Sequence, residues 1–488
     1  MKVSVSARPR ETPNSRGPNS QIGNWLFGNW ELFSSPWPVA GIAAAYLVAH
    51  LPSLAPSLED YDSINFALGL RDFDPARHQP HPPGSPVYIV FGRALLAVIS
   101  IVRPSLTRPE AEALTLAFWS AVAGAVALVA LAQVFASVWS RRGSLFWATA
   151  IVAACPLFWI SGLRPMSDLP GFAAATVAQF LILQGRTDRQ RLVLGAFAAA
   201  IAAGIRVQTI WLTVPLLALV AFQHRRTGAR WLISGPLAFF VIGVAVWAIP
   251  LVADSGGLDG YLRALSSQAG EDFAWVNMLW LEPTPRRLAF ALYETFVLPW
   301  GSTVLAGVVA VAATAGLVVA MMREQRALAW LLVAFAPYAT FHLLFQETIM
   351  VRYALPTVPM VAWVVATAAA HAGRVGPLGA GAIVAWAVII AVPPGVAYGR
   401  SPHPAFQAIA DAARYTRIAP PAAVYSHHSV WRALQADNHM LPVVDPPRSY
   451  EWLGPVSYWK EGGGSPIWFF ADPRRTDLAL LDPSPRRD

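Results

Sequence analysis

The chain is poor in charge for its size. Only 13% of its 488 residues are Asp, Glu, Lys or Arg, whereas a soluble domain carries about 25%. With 55% hydrophobic residues and a mean hydropathy of +0.45, a water-soluble globule is excluded. Cysteine is nearly absent too. The single Cys155 lies in an apolar run without a disulfide partner. No apolar core precedes Pro36, so no cleavable signal peptide is expected, and 1–36 reads as a flexible cytoplasmic arm held inside by Arg8, Arg10 and Arg16. No distinctive segment recurs as an internal repeat. The net charge of +8 and pI near 9.9 come mainly from arginines in short loops and in the two tails. That distribution is a topology signal and not a nucleic-acid footprint.

What the chain has in quantity is apolar runs. A helix needs about 20 such residues to cross a hydrocarbon core of about 30 Å. The runs at 37–54, 113–139, 145–160, 171–183, 192–205, 209–222, 232–252, 302–322, 328–345, 353–370 and 375–397 make eleven expected spans. The stretch 87–102 reaches only about 24 Å at 1.5 Å per residue and has Arg93 near its middle. Arginine at a helix centre costs about 3 kcal/mol on insertion scales. This stretch is therefore expected to lie at the interface. Arg141 and Arg142, then Arg186, Arg189 and Arg191, then Arg225, Arg226 and Arg230, then Arg323 and Arg326, and finally Arg374 then share one side with the N-terminal arm. The positive-inside rule makes that side cytoplasmic. The unusual loops, 55–112, 161–170, 253–287 and 346–352, and the tail from 399 all face outward.

The first outward loop crowds Glu59, Asp60, Asp62, Asp72 and Asp74 against the rigid segment HQPHPPGSP, 78–86. Prolines fix φ and Gly84 permits a tight turn, so a carboxylate there is held in place. Such a group can take a proton from an acceptor hydroxyl aimed at an activated sugar carbon. The second loop, SGLRPMSDLPG at 161–171, adds Arg164 and Asp168; in a plain turn these two would pair with each other. At 346–356, QETIMVRYALP places Arg352 and Tyr353 where one span closes and the next opens, and Arg206 ends another. A guanidinium there either snorkels to headgroups or grips a lipid-linked phosphate with two parallel hydrogen bonds.

The acidic loop, HPPG, the interfacial helix, an arginine pair after a span, LRPMSDLPG and the late RY-x-LP resemble, in that order, the GT-C superfamily of polytopic glycosyltransferases. HPPGSPVY is similar to the HPPG-Y-P segment of the bacterial branch related to protein O-mannosyltransferases. The resemblance covers about 37–400. It implies a mostly α, polytopic helical bundle of the bacterial inner membrane, N-terminus cytoplasmic and C-terminus exterior. The implied activity is transfer of a sugar from a polyprenyl-phosphate donor to a lipid, glycan or protein acceptor at the outer face. By the same likeness Asp62, in DSINF, corresponds to the first-loop base, with Asp60 beside it. Asp168 corresponds to the second acidic position and Arg352 to the phosphate-holding arginine, and Arg164, His81, Tyr353 and Arg206 fall in the substrate-binding set. No cofactor is required; a divalent metal is possible but not indicated by the residues. Ser85 replaces a commoner aromatic, and the extra acids leave the choice between Asp60 and Asp62 open.

The domain plan is thus an arm at 1–36, a transmembrane unit at 37–398 with its first outward loop at 55–112, and a small exterior α/β unit at 399–488. His427 and His428 are capping or surface residues, and KEGGGSP is a turn with no phosphate-binding helix after it. The C-terminal unit is expected to cover the site or bind acceptor. A transporter or flippase of a lipid-linked or anionic substrate is the alternative function, but it would place polar groups near the midplane. A noncatalytic assembly factor would need no rigid acidic loop.

Overall fold

A computed structural model describes residues 37–225, 231–275, 278–416, 418, 420–421, 423–426, 428–437, 441 and 467–470. The N-terminal arm, Arg226, Arg230, His427 and KEGGGSP lie outside the described residues.

The apolar runs form a helical bundle. In chain order the helices are α1 (Trp37–His50), α2 (Tyr61–Arg71), α3 (Pro86–Val102), α4 (Arg108–Val138), α5 (Arg142–Ala154), α6 (Pro156–Ser161), α7 (Asp168–Gln184) and α8 (Arg189–Ile205). There follow α9 (Ile210–Arg225), α10 (Trp231–Asp254), α11 (Gly257–Trp275), α12 (Pro285–Phe296), α13 (Thr303–Arg323), α14 (Gln325–Phe345), α15 (Val358–His371) and α16 (Val375–Arg400). Among the described residues seven helical stretches are long and apolar enough to cross a membrane: Arg108–Val138, Val207–His224, Gly235–Asp254, Thr303–Arg323, Gln325–Phe345, Val351–His371 and Val375–Thr416. The other four expected spans coincide with shorter helices: α1 with 14 residues, α5 with 13 and then α6, and α7 and α8 with 17 each.

Side-chain contacts mark the two ends of the bundle. At one end Arg141 pairs with Glu324 at 2.9 Å, His371 approaches Glu324 at 3.9 Å, and Arg186 donates to the Ser137 carbonyl at 2.5 Å. The basic loops therefore do gather together. The opposite end holds the acidic loop.

That loop folds as a compact unit. Asp60 caps α2, accepting from the Ser63 amide at 2.9 Å. The expected interfacial helix is α3. Arg93 does not face the apolar side of α3; it donates to the Gly69 and Leu70 carbonyls at 2.9 and 3.0 Å and so satisfies the open C-terminal end of α2. Val90, Val98 and Ile101 leave an exposed apolar face on the same helix. Arg71 at the end of α2 forms a fork with buried Glu112 of α4 at 2.8 and 2.6 Å, which ties the loop to the bundle. Gly84 sits at φ +94°, and an added Cβ would lie 2.8 Å from Leu251, so the HPPG turn meets the end of α10 only as glycine.

Beyond α16, the chain forms α17 (Pro404–Thr416), β1 (Ala423–Ser426), α18 (His428–Asp437) and β2 (Ile467–Phe470). β1 and β2 pair in parallel with Val424 opposite Trp468, giving the expected α/β unit. Phe406, Ile409, Val424 and Leu434 share one hydrophobic core with Ile64, Leu68 and Tyr88 of the acidic loop.

Removing Glu112 leaves the Arg71 guanidinium without its counter-charge. Glu112→Ala is therefore expected to destabilise the protein by about 3 kcal/mol, while Arg108→Ala, on the exposed rim of the same pair, costs less than about 1 kcal/mol. Chemical denaturation of both variants in detergent checks the order, and equal losses would remove the role assigned to the buried fork.

Candidate active site

The site is assembled from helix ends. The first turn of α2 brings Asp60 and Asp62, the turn before α7 brings Arg164, and α7 itself starts at Asp168. Arg206 caps α8, while Arg352 and Tyr353 lie on a 3-10 turn, Val351–Thr357, that leads into α15. Gly171 lets α7 approach closely, since a Cβ there would stand 2.7 Å from Cβ of Arg206.

Arg352 is the centre of the arrangement. Its guanidinium bonds Asp62, reaches Asp60 at 3.4 Å and lies 3.9 Å from Asp168. It also donates to the Tyr353 hydroxyl at 3.3 Å. Arg206 pairs with Asp168 at 3.2 Å, donates to Ser167 at 3.2 Å and lies over the Tyr353 ring at 5.2 Å. Arg164 does not pair with Asp168 as a plain turn would have it. Instead it bonds Glu59 at 2.5 Å and Asp60 at 3.1 Å. His81 approaches the other oxygen of Asp62 at 3.5 Å. All eight singled-out residues therefore meet in one cluster.

The charges are nearly balanced, with three guanidinium groups against four carboxylates, yet Arg352 and Asp168 are only 9% and 5% exposed. Burial works against ionising Asp62. The Arg352 guanidinium, aided by His81 and Arg206, outweighs it and holds the carboxyl at about 2. Three buried polar atoms around Arg352 have no hydrogen-bond partner: Oδ2 of Asp168, Oγ1 of Thr209 and Nε of Arg352. Their residues line one cavity of about 10 Å³ with Tyr338, room for about one water.

An apolar groove of about 800 Å³ opens beside this cavity between α3, α4, α7 and α8. Phe91, Trp119, Val126 and Val177 line it, and Pro170 and Ile205 bring it next to the residues adjoining Asp168 and Arg206.

Known families and curated proteins yield no match to this sequence. Among solved structures the chain is similar to the oligosaccharyltransferase of Archaeoglobus fulgidus, solved as a complex with Zn and sulfate. The TM-score is 0.51 at 15% identity, over 84% of this chain and 62% of that one. The fold is of the GT-C type. The chain spans less than two thirds of that protein's length.

Sequence reading overlooked two members of the cluster. Glu59 was one acid among five, and its partner Tyr398 donates to it at 2.7 Å from the end of α16. A single tyrosine at the close of the last apolar run carries no sequence signal; 339 residues separate it from Glu59.

The Asp62 carboxyl titrates near 2 when folded and near 3.9 when unfolded. A depressed carboxyl stabilises the fold above about pH 4 and loses that contribution as pH falls towards 2. Between those limits the wild type is expected to lose about 2 kcal/mol that Asp62→Asn does not lose. Melting curves across pH 5 to 2 test this, and parallel curves for the two proteins would contradict the ion pair.

Proposed function

We propose that this chain transfers a sugar from a polyprenyl-phosphate donor to an acceptor hydroxyl at the outer face of a bacterial inner membrane. The carrying observation is the gathering of Asp60, Asp62 and Asp168 around Arg352 at one end of the bundle. The apolar groove beside them suits a prenyl chain, and the Arg352 and Arg206 guanidiniums suit the phosphate. Eleven crossings would put the loops that carry Arg141 and Arg186 inside and the C-terminal unit outside.

In this reading Asp62 accepts the acceptor proton while the acceptor oxygen bonds to the anomeric carbon. The carbon–phosphate-oxygen bond breaks, and its electron pair leaves on the phosphate oxygen facing Arg352 and Arg206. A carboxyl held near 2 is a poor base at neutral pH. The donor phosphate competes for the same guanidinium, so its arrival draws Arg352 from Asp62 and raises the basicity of the carboxylate when an acceptor needs it. Asp168, whose Oδ2 lacks a partner, is placed to receive a sugar hydroxyl.

A divalent ion is not indicated by the residues present. Among the described residues no group of three or more His, Cys, Asp or Glu could hold one, and the position between Asp60, Asp62 and Asp168 is taken by Arg352. No step is therefore assigned to a metal. Transport is the weaker reading because the charged groups cluster at one end of the bundle and not midway.

Asp62→Asn keeps size and hydrogen bonding but cannot take up a proton, so transfer should fall about 10²- to 10⁴-fold. A normal rate for Asp62→Asn with loss in Asp60→Asn would move the base to Asp60; full activity in both would show that the acidic loop is not the catalytic element. Arg352→Lys keeps charge and loses the planar fork, so the donor KM should rise more than the acceptor KM. Donor titration in proteoliposomes checks it, an unchanged donor KM indicating an arginine that serves only the ion cluster. Reporters fused after Arg142 and after Arg400 should read inside and outside respectively. A C-terminal reporter found inside would overturn the orientation and with it the site.

A further inference from the structure

The C-terminal unit reaches the acidic loop through one buried arginine. Arg432 of α18 is 4% exposed. It donates to the Arg77 carbonyl at 2.7 Å, to the Tyr61 hydroxyl at 3.4 Å and to Gln435 at 2.6 Å. Its guanidinium also lies 5.6 Å from the Tyr61 ring centre. These three acceptors are neutral. Burying a guanidinium against neutral acceptors carries a desolvation cost, which makes the geometry it fixes informative.

The two outer acceptors lie on the two limbs of the loop. Tyr61 stands between Asp60 and Asp62 in the first turn of α2. Arg77 closes the turn Pro75–Arg77, four residues before His81. The Asp62–His81 contact bridges the same two limbs on the side facing Arg352. One guanidinium therefore fastens from behind the two strands of chain that the candidate site joins in front. Ala433 and Leu434, beside Arg432, pack in the core shared with Ile64 and Leu68 of α2, and the His403 amide donates to Ser57 at 2.8 Å where the chain enters the loop.

We propose that Arg432 is a positioning residue for glycosyl transfer, setting the roll of the first turn of α2 and thereby the aim of Asp60 and Asp62 at the acceptor. This assignment rests on the transferase reading above. It gives the C-terminal unit a definite task, bracing the acidic loop. Arg432 itself touches neither Arg352, Arg206 nor the apolar groove, so its loss is expected to fall on kcat before the donor KM.

The test uses the full chain in proteoliposomes, with decaprenyl-phosphate hexose and pentose as donors, membrane extract as acceptor, and release of decaprenyl phosphate as readout. Misplacing a reacting group by about 1 Å costs about 10²-fold in rate, so Arg432→Ala should lower kcat by about 10- to 100-fold and leave the donor KM within about twofold. Arg432→Lys, which reaches one acceptor but cannot span both, should recover part of the loss. Unchanged kcat, or a raised donor KM at normal kcat, overturns the assignment. Hydrogen exchange of the same bilayer-embedded proteins separates this proposal from the function it rests on. If the wild type releases no decaprenyl phosphate, the transferase reading fails. The brace itself then stands only if Arg432→Lys speeds exchange at 61–64 and 74–81 while leaving 351–357 unchanged, and equal exchange refutes it.

Discussion

The structure depends on the cost of burying charge at the end of an apolar bundle. Arg352 is nearly enclosed, and so is Asp168; either alone would carry a penalty of several kcal/mol. Each is tolerable because the other is there, with Asp60, Asp62 and Arg206 completing the set. The cluster therefore forms only when the ends of α2, α7 and α8 and the Val351–Thr357 turn arrive together. Charge balance makes the cluster a condition of folding this end of the protein.

Around that centre, polar work is given to helix termini and apolar work to helix flanks. Asp60 caps α2 while facing Arg164 and Arg352, and Arg93 uses its charge on the carbonyls that end α2. The same helix α3 turns its other side to form one wall of the apolar groove. A charged cluster and an apolar groove thus lie within two residues of each other along α7, at Asp168 and Pro170.

Much of this was legible in the chain. Low charge and long apolar runs demand a membrane bundle, because backbone groups in lipid must be satisfied within helices. The shortness of 87–102 and the awkward Arg93 pointed to an interfacial helix. The structure supplies the reason: the arginine reaches back to α2. The acidic loop and the turns carrying Arg164, Asp168, Arg206 and Arg352 were also visible, since charged residues at the ends of apolar runs stand out against so little other charge.

Residue order could not say which charges pair. Arg164 and Asp168 are four apart and read as natural partners, yet each finds its counter-ion more than 30 residues away, at Glu59 and at Arg206. Tyr398 and Arg432 gave no signal because their contacts span 339 and 371 residues. Run length and the hydrophobic effect act along the chain, so the sequence by itself determined a membrane helical bundle and which loops crowd the charged residues. Ion pairing and hydrogen bonding act over a few ångströms between helix ends, so only the tertiary structure decided which arginine meets which carboxylate and what braces them from behind.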